Sequence, residues 1–164
     1  MLSVKNVQVH FEAEELLKLL VNELNLGGEV ITGLIPLLRT NIKDIMAEDK
    51  DNSNAHETFI VSGDIASIQC RAAIFIGELA SIDSNFAEMI VHHGTINGLV
   101  HGIMNISNLE AQKACATTLR FLCKTIPLAV DMSYDLLGET ITQQLIDVRS
   151  DRIGSMIYKT FNTI

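Results

Sequence analysis

The chain has 164 residues, enough for one domain or a short repeat array, and 48% of them are apolar, so a sizeable core can be buried. Aromatic residues make up only 5%, Trp is absent and there are two prolines, a balance that favours packed helices rich in Leu, Ile and Ala over a β-sandwich. Twenty acidic against twelve basic residues give a formal charge of −8, which argues against nucleic-acid binding through phosphates and suits basic or mixed-charge protein partners.

The first ten residues, MLSVKNVQVH, hold no apolar run of the secretory kind. The three cysteines, Cys70, Cys115 and Cys123, form no C-x-x-C pair and read as reduced core thiols, hence a cytoplasmic or nuclear protein. The spacing predicts a helix over 10–26, with Leu16, Leu17, Leu20, Val21 and Leu24 on one face. Next comes VITGLIP, where Gly33 is expected to break a helix and Pro36 to open the following one, continued by Leu38, Ile42, Ile45 and Met46. Residues 47–64 are acidic and Asn/Ser-rich at the start and read as a polar loop. A helix follows over SIQCRAAIFIGELA, 67–80.

The tract 89–109, MIVHHGTINGLVHGIMNISNL, lacks any Asp, Glu, Lys or Arg. Its length and its Gly94, Gly98, Gly102 spacing suit a membrane span, but eight polar residues weigh against one. His92, His93 and His101 lack the tight spacing of zinc ligands, and no metal or other cofactor is expected. Three short helices account for more. NFAEMIVHH forms the first, with Asp83 or Ser84 as cap. Gly94 breaks it, and INGLVHGIMN follows with Ile96, Leu99, Val100 and Ile103 on one face. Ser107 or Asn108 then caps LEAQKACATTLRFLCK, whose apolar face is Ala111, Ala114, Cys115, Thr118, Leu119 and Leu122.

This unit recurs. Gln69, Ala72, Ala73, Ile76 and Leu79 lie 43 residues before Gln112, Cys115, Ala116, Leu119 and Leu122. Ile157, Phe161 and Ile164 lie 42 beyond Cys115, Leu119 and Leu122. Upstream, Gly33 and Ile35 match Gly94 and Ile96. In the last unit, SYDLLGETITQQLIDV slips from the register by about one residue.

The pattern Gly94-Thr95-Ile96-x-x-Leu99-Val100, then Glu110-Ala111-Gln112-x-x-Cys115-x-x-x-Leu119-x-x-Leu122, resembles an armadillo or HEAT-like helical repeat. The resemblance implies an all-α, right-handed armadillo-like solenoid of about three to four stacked units: 10–26 in part, 29–80, 83–123 and 130–164. It also implies a non-catalytic module that binds a partner protein on its inner, third-helix surface. The expected contact residues, taken as solvent-facing, are Gln69, Arg71, Glu78, Gln112, Lys113, Arg120 and Phe121. Many armadillo repeats carry a peptide-binding Asn late in the third helix. The matching positions here are Glu78, Phe121 and Thr163, with Asn162 one place early, a departure that leaves open a regulator gripping a folded partner, such as a nucleotide-exchange or small-GTPase factor. Apolar Phe161 and Ile164 near the end suggest a longer solenoid, a homo-oligomer or a subunit of an assembly. No catalytic signature is present. Asp131, Asp135 and Glu139 would share a helix face but read as solvated surface.

Overall fold

A computed structural model describes residues 7–24, 27–39, 55–82, 84–106 and 108–162. Among them the chain is all α, with nine α-helices, one 3₁₀ turn and no strand. In order these are α1 (Val7–Leu24), α2 (Gly27–Arg39), α3 (Ala55–Ala80), α4 (Ser84–His92), α5 (Thr95–Met104), α6 (Leu109–Thr125), α7 (Pro127–Leu137), α8 (Glu139–Asp147), the 3₁₀ turn (Ser150–Arg152) and α9 (Ile153–Phe161).

The middle of the chain folds as its sequence dictates. Gly94 takes a left-handed conformation (φ 77°) between α4 and α5, which costs a residue without Cβ little. Asn108 caps α6, its side chain accepting the Ala111 N–H at 2.9 Å. The expected faces of α5 and α6 are buried, from Ile96 to Ile103 and from Ala111 to Leu122. Ala72, Ala73, Ile76 and Leu79 of α3 are buried too. Helix α6 is the axis of the packing: it touches every helix from α3 to α9 and lies between α3 and α9.

The second half of α5 shows why glycines recur at a spacing of four. A methyl group on Gly98 would sit 3.0 Å from Leu38 Cδ1, and one on Gly102 would collide with Cys115 Sγ. The stripe lets α5 approach α2 and α6 inside the protein, and no described helix is long and apolar enough to cross a membrane. Gly102→Ala is therefore expected to cost about 1–2 kcal/mol net, the clash outweighing the better helix propensity of Ala. In a Cys115→Ala background the same change should be neutral or slightly stabilising. Denaturant unfolding of the four chains checks this, and equal losses in both backgrounds would remove the sulfur from the account.

Several expectations at the two ends are corrected. Gly33 breaks nothing: α2 runs through it, and Pro36 lies inside α2 rather than at its start. Thr32 and Pro36 are both exposed, so water can meet the carbonyl that a proline leaves without its helical donor. A second positive-φ glycine, Gly138 (φ 80°), lies 44 residues after Gly94, ends α7 and precedes α8. The loop expected over 47–64 is corrected from Ala55 onward, where α3 begins; Phe59, Ile60, Val61, Ile65 and Ile68 all lie in that one long helix. Residues 47–54, like Ile42, Ile45 and Met46, lie outside the described residues. On α1 the inward stripe is Ala13, Leu17 and Val21, whereas Leu16 is 45% exposed. Asp131, Asp135 and Glu139 are all exposed and do not share a helix, since Gly138 intervenes.

Candidate functional site

Helices α3 and α6 run side by side and hold a groove of about 450 Å³ between them. Their close approach has a local cause. Thr118 Oγ1 donates to the Ala73 carbonyl at 2.7 Å, and a methyl group on Gly77 would lie only 2.9 Å from that same oxygen. A larger residue at 77 would push the helices apart. Above this seam Ile74 from α3 and Phe121 from α6 stay 48% and 37% exposed and form the apolar wall of the groove. Glu78, Glu110 and Lys113 line the groove beside them.

Of the seven residues expected to contact a partner, Glu78, Lys113 and Phe121 come together in this groove and are exposed. Glu78 is also held by Lys18 of α1 at 2.9 Å, an exposed pair of small energetic weight. Arg71 is half-buried and pairs with Glu14 of α1 at 3.4 Å. Arg120 is half-buried too, its Nη1 donating to Ser150 Oγ at 3.4 Å. Gln69 and Gln112 are corrected outright, for both are fully buried. Gln69 Nε2 donates to the Leu38 carbonyl at 3.4 Å, and Gln112 Nε2 to the Ile103 carbonyl at 2.7 Å. Each glutamine thus donates to a carbonyl in the last turn of another helix, Leu38 of α2 and Ile103 of α5. The amides of Asn105 and Asn162 donate to their respective side-chain oxygens at 2.9 and 3.0 Å.

The cysteines are poor nucleophiles in this setting. Burial pushes the Cys115 thiol up to about 12, with nearby Cys70 adding to the shift. Burial also raises Cys123, partly offset by its hydrogen bond with Ser133, and it raises Cys70 together with the charge of Glu110. A thiol held protonated in the folded state stabilises the fold fully below its unfolded value, near 9, and loses that contribution as pH climbs toward 12. Cys115 should therefore cost the fold about 1 kcal/mol between about pH 8 and about pH 10. Alkaline denaturation of Cys115→Ala should show a correspondingly flatter slope; an identical slope would remove Cys115 as its source.

His92 and His101 sit in the last turns of α4 and α5, where a helix end tolerates positive charge, and His93 Nδ1 lies 2.8 Å from the Met89 carbonyl. Among the described residues no His, Cys, Asp and Glu cluster could hold a metal ion. A second, larger groove of about 800 Å³ lies along α8 and α9, between Glu139, Gln143, Asp147, Arg152, Met156 and Lys159. Sequence reading passed over it, because these residues form no motif and meet only when the two helices are laid side by side.

Fold and groove together define a helical protein with an apolar trough on its central helix pair. No protein-family model matches the chain, and no solved structure matches it.

Proposed function

We propose that the chain is a non-catalytic interaction module, an armadillo-like right-handed α-solenoid working in the cytoplasm or nucleus, that binds a segment of a partner protein in the trough between α3 and α6. The serial packing of α3, α6 and α9 supports the repeat reading, as does the equivalent use of Gln69 and Gln112. The observation that carries the binding reading is the exposure of Ile74 and Phe121 on facing helices, flanked by charges of both signs. Gln69 and Gln112 leave the contact set, since their side chains hold the layers together. Glu78, Lys113 and Phe121 remain, with Ile74 added from the geometry.

A photo-crosslinking residue at position 121 should capture a partner that the same probe at Tyr158, 55% exposed on α9, does not. Phe121→Ala should then weaken that partner's binding by about tenfold or more while leaving the helical spectrum intact. Equal capture from both positions, or binding indifferent to Phe121→Ala, would count against the trough as the contact surface.

A further inference from the structure

Arg120 is a half-buried cation with no carboxylate partner among the described residues. Its Nε is buried and meets no acceptor, and its Nη1 reaches only the Ser150 hydroxyl, at 3.4 Å. A guanidinium offers five donors and no acceptor, so a desolvated one is poorly served by a single hydroxyl. The turn from 147 to 152 does not supply the missing anion. Asp151 is taken by Arg149 through two bonds of 3.1 and 2.7 Å, and Asp147 accepts from Gln143 at 3.0 Å. Neither carboxylate of that turn forms an ion pair with Arg120, and Arg152 adds a further guanidinium to the turn. Ser150 itself is exposed and opens the 3₁₀ turn that leads directly into α9. Neither Arg149 nor Arg152, the residues before the turn and before α9, caps its element with a side chain.

We propose that Ser150 is a phosphoacceptor and that Arg120 receives its phosphate. The phosphoryl group comes from the nucleoside triphosphate of a protein kinase. Ser150 Oγ bonds the terminal phosphorus, the bond from that phosphorus to the bridging oxygen breaks, nucleoside diphosphate leaves, and the hydroxyl proton passes to the kinase's base. The product places three acceptor oxygens and nearly two negative charges on an oxygen already beside Nη1. It fastens the entry of α9 to the central helix α6.

The test installs phosphoserine at position 150 of the full chain and follows its ³¹P resonance through pH. The second ionisation should fall about one unit below its ordinary value near 6, and the melting midpoint should rise by about 2–6 °C. Arg120→Met should return both to their unassisted values, with Arg120→Lys restoring part of the pH shift through charge alone; the lysine variant decides the matter if the methionine variant fails to fold. An ordinary ionisation with Arg120 in place, or one unmoved by these variants, overturns the proposal. Saturable binding of inorganic phosphate by the unmodified chain, lost in Arg120→Met, would assign the position to a free anion and also overturn it. Mass spectrometry of the protein from its own cells should find Ser150 phosphorylated, and consistent absence there counts as refutation.

Discussion

Phe75→Ala is expected to lower the unfolding free energy by about 3–5 kcal/mol, the largest loss of any single truncation considered. Phe75 is 1% exposed and is the largest fully buried side chain among the described residues. It sits in the C-terminal part of α3, the helix that packs against both α2 and α6. Truncation removes the transfer free energy of a whole ring and leaves a cavity that helices on both sides cannot close without moving. A protein with about 5–15 kcal/mol of total stability could lose a third of it or more in this way. Phe75→Leu keeps most of the volume and should cost less than half as much. Phe121→Ala is the informative contrast: the residue type is the same, but the side chain is 37% exposed and should cost well under 2 kcal/mol. Urea unfolding with unchanged slope reads the three differences directly. Comparable losses at 75 and 121 would mean that Phe121 is packed in solution, and the open trough between α3 and α6 would lose its apolar wall.

The legibility of the fold followed the strength of local signals. Over 84–125 the helical period, the Gly94 break and a cap at Ser107 or Asn108 all pointed one way, and α4, α5 and α6 formed accordingly, with Asn108 as the cap. Gly33 misled because a glycine can end a helix but need not; with continuous apolar positions Ile31, Leu34 and Leu38 all buried, packing kept α2 whole. Pro36 misled for the related reason that an exposed helix face tolerates it. The candidate site was half legible. Glu78, Lys113 and Phe121 were found by counting along third helices. Gln69 and Gln112 occupy positions whose polar side chains suggest solvent. Only the paired geometry reveals that their amides point at carbonyls of other helices. Nothing in a linear reading shows Arg120 meeting a serine thirty residues away.

Gln112→Leu is expected to cost about 2–4 kcal/mol, although it replaces a polar group in the core with an apolar one of similar size. The reason lies in what stays behind. The Ile103 carbonyl loses its 2.7 Å donor, and the Asn162 amide, paired both ways with Gln112 at 3.2 and 3.0 Å, loses a donor and an acceptor together. Each buried group left unmet costs about 1–3 kcal/mol, more than the leucine returns. Asn162→Ala alone should cost less, because Asn162 is only half-buried and its amide disappears with the substitution. A cycle through Gln112→Leu and Asn162→Ala should therefore show the double variant more stable than the sum of the singles predicts, by about 1 kcal/mol. Gln69→Leu is the matching change on α3. It should cost less than Gln112→Leu, since its bond to the Leu38 carbonyl is 3.4 Å and geometrically marginal. If the two glutamines serve equivalent layers, both should unfold in one transition and both should lose stability, in that order. A neutral Gln112→Leu would show that the amide bridges are incidental and that the apolar seam of Cys115, Leu119 and Leu122 alone sets how α6 meets its neighbours.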